Sequence, residues 1–371
     1  MLYLIMIPAH DFKRQWEDLK DPVLAALGRV ASGGRYILGD EVREFEAALA
    51  AFWGVKHAVG VASGLDAIEI SLKILGCQAG DRVLTTPLSA FATTLAILKL
   101  GAVPVFVDTD EYGLIDLERC RELLSRRPEI RFFVPVHLYG HALDMGGLRR
   151  LRQEFGLKVV EDCAQSIGAR FRGEATGTAG QLAATSFYPT KNLGALGDGG
   201  AILTDDLEWR DRAAALRDYG QTSKYRHEYV GYNSRLDELQ AAVLRQAMLP
   251  SLTAWSDRRR AVASEYLAGI QHPEIRCLGA PKGSESNWHL FPVLVPPQCK
   301  SAFLQYLNMS GVTGGEHYPA AIPDQPAMNQ PELTDDCSNA RRLAASEVSL
   351  PIHPYLTAEE ISRVIDAVKA F

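Results

Sequence analysis

The sequence predicts an α/β protein: a largely parallel sheet with helices on both faces, followed by a smaller C-terminal portion. Three observations predict it. Apolar runs of strand length at 55–61, 82–86, 103–107, 132–136, 158–162, 182–187 and 201–204 alternate with segments of helical apolar spacing. That alternation marks a sheet covered on both sides. Two of the runs finish on or beside a polar residue, Asp162 and Ser186, and glycines crowd the chain just beyond. Open α/β sheets gather ligands at the carboxyl ends of their strands, so chemistry is expected there.

In order, residues 11–30 read as a helix with an apolar stripe, and Gly33 to Gly39, including Arg35, breaks it with a flexible loop. Val42, Phe45, Leu49 and Phe52 then recur three or four apart, giving an amphipathic helix. After the 55–61 strand, Ser63 opens a helix to about Leu75. Its hydroxyl can cap that helix, and Asp66 suits the positive end of the dipole. The free amides of Gly64 and Leu65 can equally hold a phosphate. Phe91 begins a helix over 90–100, in a position usual for a core aromatic. Asp108 and Asp110 form a turn after the 103–107 strand, and 117–124 is a helix. His137 ends the 132–136 strand as a satisfied polar residue, and a helix at 145–155 leads to the Asp162 strand.

Beyond the helix at 207–216, residues 217–235 are polar and aromatic without a period. A loop of that length in a compact enzyme is usually functional or mobile. A long helix from Leu236, bent or interrupted at Pro250, runs to about Leu267 and places the domain division at 1–250 and 251–371. In the second part 288–295 reads as an alternating strand, 301–308 and 339–348 as helices, and 358–371 closes the chain.

Composition excludes several classes. With 47% hydrophobic and 23% charged residues, the 371-residue chain is an ordinary soluble globular protein. Its net charge is −6, and the longest basic cluster, Arg258-Arg-Arg260, lies in a helical pattern, so nucleic acid is not an expected partner. The six cysteines show no C-x-x-C spacing, which disfavours zinc or redox pairs and suits free thiols in a reducing cytoplasm. Cys163 is either a packing residue or one that tunes Asp162. The apolar stretch Met1 to Ile7 is short and lacks a positive flank, so no signal peptide is expected. No run reaches the ~18 apolar residues of a membrane span, and no metal site is expected.

One lysine then stands out. Ser186-Phe-Tyr-Pro-Thr-Lys191 leads it into a tight loop containing Gly194, Gly197, Gly199 and Gly200, and Pro189 disfavours helix there. Alone, Lys191 reads as one surface lysine among many. The strand ending at Asp162, with Gln165 just after it, changes that reading. A buried lysine has a lowered pKa, and its neutral amine attacks carbonyls. With a carboxylate that keeps a pyridine nitrogen protonated, it is the minimal set for pyridoxal phosphate chemistry.

Glu161-Asp-Cys-Ala-Gln-Ser166, Ser186-Phe-Tyr-Pro-Thr-Lys191, Gly197-Asp-Gly-Gly-Ala201 and Gly231-Tyr-Asn-Ser-Arg-Leu-Asp-Glu-Leu-Gln-Ala-Ala242 occur in that order. Together they resemble the DegT/DnrJ/EryC1/StrS sugar aminotransferases, from about Gly34 to His353. The resemblance implies a fold-type I aminotransferase: a mixed, mostly parallel sheet sandwiched by helices, plus a smaller α+β C-terminal domain. It implies pyridoxal 5'-phosphate as cofactor, with Lys191 holding it and moving protons. Asp162 would keep the ring nitrogen charged, Gln165 would steady the phenolate oxygen, and Phe91 would stack on the ring. Gly64, Leu65, Ser186 and, from a neighbouring subunit, Asn233 would hold the phosphate. Tyr188, Arg35, Arg235, His317 and Tyr318 are expected at a nucleotide-sugar substrate, with the arginines on its phosphates. Arg235 and His317-Tyr318-Pro319 are expected to reach across a homodimer.

Two departures from the family pattern matter. Leu65 stands where threonine is usual, which removes a hydroxyl from the phosphate site. Glu316 replaces an apolar residue, either tuning His317 or capping a strand. Leu65 and the His317-Tyr318 pair favour amination at C3 over C4. The implied reaction moves an amino group from L-glutamate to a dTDP- or UDP-linked keto-sugar. A sugar dehydratase would carry histidine in place of Lys191, and a cysteine desulfurase would need a mobile cysteine loop that is not evident. A cofactor-binding regulator without turnover is the rival from another class.

Overall fold

In the computed structural model, which describes residues 6–328, 332–333 and 336–371, the apolar runs pair into one eight-stranded sheet. The leading Met1 to Ile5, part of the stretch weighed as a signal peptide, lies outside the described residues. The strand order is His57–Val61, Gly200–Thr204, Leu182–Ser186, Lys158–Asp162, Phe132–Val134, Arg82–Thr85, Val103–Phe106 and Glu332–Leu333. All neighbours are parallel except the two pairs made by Gly200–Thr204. That strand returns straight from the Lys191 loop, and a return without a crossover helix runs antiparallel. The sheet is therefore mixed and mostly parallel.

Successive side chains on a strand point to opposite faces, and the burial follows that period. Val160, Leu182, Ala184 and Ile202 pack into one core with Ile68, Leu72 and Ile97 of the helices Gly64–Ile74 and Phe91–Lys99. Ala183, Ala201 and Leu203 face the other side, against Val23 and Val30 of Phe12–Gly33 and Phe45 and Leu49 of Asp40–Trp53. Each such fully buried Leu, Ile or Val stabilises the fold by roughly 1.5–3 kcal/mol.

Helix ends are fixed from near and far. Asp11 accepts the Lys13 and Arg14 amides, a local N-cap. Gly39 has no side chain to cap Asp40–Trp53. Glu238 does so from a distant helix, accepting the amides of Gly39 (2.6 Å), Val42 (3.0 Å) and Glu41 (3.0 Å).

Several expectations are corrected. The interruption expected at Pro250 falls just before it: Glu238–Val243 widens into a π turn at Leu244–Met248, and Leu249–Gly269 continues with Pro250 in its first turn. Proline lacks the N–H that would continue the helical bonding, and the π turn absorbs the register change before it. The helix expected to reach residue 348 stops as Ser338–Ser346, and Glu347–Leu350 is a strand paired antiparallel with Phe291–Leu294. Phe291–Leu294 is shorter than expected and buried at every position rather than alternating. It is the central strand of a three-stranded sheet completed by Arg276–Cys277, with cores on both faces. Residues 217–235 contain a small hairpin, Gln221–Ser223 with Arg226–His227.

The smaller sheet packs with Leu249–Gly269, Lys300–Met309 and Ala358–Lys369 around Tyr266, Phe291, Phe303 and Val364. Ile7 belongs to this core and bridges Val312, although it comes from the start of the chain. Conversely, Cys337, Ala340, Leu343 and Ala344 pack into the core of the large sheet.

Candidate active site

The parallel strands put their carboxyl ends on one edge. Asp162 and Ser186 are the last residues of adjacent strands there, and Gly200, opening the antiparallel strand at the same edge, pairs with both Val61 and Ser186. No side chain fits at Gly200, because a Cβ would lie 2.4 Å from the Ser63 carbonyl carbon and oxygen. Nor does one fit at Gly64, where a Cβ would meet Ser186 Cβ at 2.7 Å. The absence of both lets Ser186 close on the N-terminus of Gly64–Ile74. Ser63 Oγ accepts the Asp66 amide at 3.1 Å, so Ser63 is the N-cap. The Gly64 and Leu65 amides, in the first turn, find no acceptor among the described residues. Capping and anion binding are therefore compatible here.

Asp162 is held rigidly. Its Oδ2 accepts the Thr93 hydroxyl at 2.8 Å and its Oδ1 the Ala164 amide at 3.0 Å. Each oxygen has one donor, and each can accept another. Phe91, half-buried, opens the same helix turn as Thr93. Gln165 is buried; its Oε1 accepts the Tyr139 amide at 2.7 Å, and its Nε2 donates to Tyr318 Oη at 3.1 Å, leaving one N–H.

Lys191 lines a cavity of about 270 Å³ together with Gln165, Tyr188, His289, His317 and Tyr318. Burial lowers its pKa from 10.5 to about 8, with the charge of Asp162 opposing the shift. Burial, then the charge of Lys191, lowers His317 to about 4, so its ring is neutral at pH 7. Ser349 Oγ donates to buried Glu347 at 2.5 Å and sits 2.9 Å from His317 Nδ1. Hydrogen-bond logic then assigns the ring proton to Nδ1 and leaves Nε2 as an acceptor. Glu347 also accepts the His317 amide at 2.6 Å. Glu316 pairs with Lys300 at 2.7 Å, and its pull on His317 is weaker than burial.

The other predicted residues lie apart from this cavity. Arg35 is exposed and donates to the carbonyl of Leu38 in its own loop. Asn233 is exposed, and Arg235 pairs with Asp218 at 2.9 Å and lies over the Tyr219 ring. His317 and Tyr318, expected to reach across a dimer, line the cavity of their own chain's Lys191. His137 is a buried partner of Glu161 at 2.9 Å. Glu161 also accepts the amides of Gly177, Ala179 and Gly180, which accounts for the nearby His137, Glu161 and Cys163 without a metal.

Sequence reasoning missed Thr93, His289, Ser349, Glu347 and Arg259. Thr93 alone carried a signal, being two residues after Phe91 at the same strand-to-helix junction.

A partly neutral lysine, a clamped carboxylate and an amide cradle on one edge of a mixed α/β sheet define an enzyme of the aminotransferase class. The chain belongs to the DegT/DnrJ/EryC1/StrS aminotransferase family, which matches it over residues 17–369. It is 41% identical over 366 residues to the dTDP-3-amino-3,4,6-trideoxy-alpha-D-glucose transaminase of Streptomyces venezuelae, covering 98% of this chain and 95% of that one. It is 37% identical over 365 residues to the UDP-N-acetyl-3-dehydro-alpha-D-glucosamine 3-aminotransferase of Acidithiobacillus ferrooxidans, covering 98% and 97%. The crystal structure of S. venezuelae DesV in complex with ketimine intermediate superposes with a TM-score of 0.94 at 41% identity, over 99% of this chain and 98% of that one.

Proposed function

We propose that this protein is a pyridoxal 5'-phosphate-dependent aminotransferase. It moves the amino group of L-glutamate to a 3-keto-hexose linked to dTDP or UDP and yields the 3-amino-sugar. The observation that carries this reading is Lys191, an amine lowered to about 8 in a cavity beside Asp162. Amination at C3 is supported by the names of both relatives and by Leu65.

When bound, the cofactor supplies an electron sink for the carbon that loses its proton. The chain's residues do the rest. Lys191 takes and returns that proton, and a value near 8 suits both halves of the task. Asp162 offers its open lone pairs to a ring N–H, and Gln165 offers its remaining N–H to a phenolate oxygen. Gly64, Leu65 and Ser186, with Asn233 of a second subunit, would hold the phosphate, and Phe91 would cover the ring. Tyr188, His317 and Tyr318 border the sugar, with Arg35 and, from a second subunit, Arg235 on its phosphates.

The acting unit in this reading is a homodimer in the cytoplasm, with 1–250 holding the cofactor and 251–371 completing the substrate side. An apolar groove of exposed Phe12, Trp16 and Leu196 against Pro189, next to the Lys191 loop, supports a second copy there. No disulfide joins cysteines among the described residues, as in a reducing compartment. No helix among the described residues is long and apolar enough to cross a membrane.

The test is spectroscopic. Glutamate should bleach the visible band of the loaded protein with release of 2-oxoglutarate. In reverse, nucleotide 3-amino-sugars should bleach it and 4-amino isomers should not. Bleaching by glutamate without any amino-sugar product would favour a regulator, and a response to 4-amino-sugars alone would move the reaction to C4.

A further inference from the structure

Arg259 is the middle arginine of Arg258-Arg-Arg260 in the helix Leu249–Gly269. Its neighbours have acidic partners: Arg258 with Glu265 at 3.6 Å, and Arg260 with Asp257 at 2.6 Å. Arg259 is only 2% exposed and has no carboxylate partner among the described residues. Its Nη1 donates to the carbonyls of Ile352 (2.6 Å), Trp288 (3.2 Å) and His289 (3.5 Å). Its Nε and Nη2 groups find no acceptor among the described residues. Burial lowers its pKa to about 10, so it stays charged at neutral pH. A buried cation held only by neutral dipoles is unfavourable until an anion arrives.

Arg259 lines the Lys191 cavity. No Asp or Glu lines it, although the protein carries a net charge of −6. His10, His289 and His317 border it too, and burial keeps all three rings neutral at pH 7. Asp162 answers the charge of Lys191 from beyond the lining, whereas no carboxylate among the described residues answers that of Arg259. A guanidinium fork matches the two oxygens of a carboxylate.

We propose that Arg259 is the carboxylate anchor of this cavity, receiving a carboxylate of the amino donor and so turning the donor's amine toward Lys191. The assignment rests on the aminotransferase reading above. The three carbonyls at Nη1 fix the guanidinium in place, and the other N–H groups remain for the donor.

The test uses the cofactor-loaded enzyme. Glutarate, a dicarboxylate without an amine, is titrated against the visible band of wild type, Arg259→Lys and Arg259→Gln. KM is measured separately for glutamate and for the sugar nucleotide. Glutarate Kd and glutamate KM should rise at least about tenfold, with the sugar-nucleotide KM within about twofold. Unchanged glutarate binding, or a rise confined to the sugar nucleotide, overturns the proposal. Because Arg259 joins three segments, a second measurement leaves it intact: crystals of the wild-type enzyme soaked in glutarate. A carboxylate on Arg259 is expected, and glutarate seated elsewhere refutes the anchor. A wild-type protein with no visible band, or one whose band ignores glutamate, would instead sink the aminotransferase reading and the anchor with it.

Discussion

The hydroxyl of Thr93 donates to Asp162 Oδ2 at 2.8 Å, and both residues are buried. The bond ties the first turn of Phe91–Lys99 to the end of Lys158–Asp162, so one contact sets both the carboxylate and the helix that presents Phe91. A hydrogen bond to a charged acceptor is worth about 1.5–3 kcal/mol, so Thr93→Val should lower kcat by about tenfold or more without unfolding the protein. Asp162→Asn should lower it more, by roughly 10²–10⁴-fold. Steady-state rates and cofactor affinity check both, and a Thr93→Val enzyme at full speed would show the bond to be incidental.

Lys191→Ala should still fold, because the side chain lines a cavity rather than filling a core. It should lose the covalent cofactor band and at least about 10²–10⁴ of its turnover. Absorbance and product assays decide this, and residual full activity would remove Lys191 from the chemistry.

The lowered pKa has a definite sign. Dropping from 10.5 to about 8 makes neutral amine roughly 300-fold more abundant at pH 7 than for a free lysine. Capture of pyridoxal phosphate by cofactor-free protein should therefore rise with pH and level off just above 8. Because the folded value lies below the unfolded one, protonating Lys191 works against the fold; that penalty is full below about pH 8 and fades by 10.5. Lys191→Met should accordingly raise Tm more at pH 6 than at pH 9 in cofactor-free protein. A capture midpoint near 10 would contradict the burial argument.

Gly200→Ala places a methyl 2.4 Å from backbone atoms of Ser63, where no flexible side chain can yield. A loss of about 1–3 kcal/mol is expected from such overpacking, together with weaker cofactor binding as the Gly64 turn is pushed away. Gly28→Ala is the control: it lies within the helix Phe12–Gly33 with open space around it, and should be neutral or stabilising by up to about 1 kcal/mol. Thermal unfolding of the two variants, with and without cofactor, separates local strain from a general intolerance of substitution.

The parts readable in the sequence were those encoded by local pattern. Asp162, Gln165, Ser186 and Lys191 sit at strand ends next to turn residues, and periodicity located those ends. Glu347 and Val348 were misread as helix because Ala-Ala-Ser-Glu carries helical propensity, and pairing with Phe291–Leu294 overrides it. Arg259 was visible only as part of a basic run. That one of three adjacent arginines is buried depends on three distant carbonyls that no local window contains. His289 and Glu347 were hidden for the same reason: their significance lies in neighbours far away in the chain.

The exchange of the two ends has a bearing on how the polypeptide is made. Gly200–Thr204 and its neighbours emerge well before the outermost strand, Glu332–Leu333, and the helix Ser338–Ser346 that covers the large sheet. Ile7, synthesised about 300 residues ahead of Val312, waits for it and for the Phe291 sheet before it has anything to bury against. Neither half can finish on the ribosome by itself. Expressed fragments split near residue 250 should be insoluble singly and should regain structure only when produced together.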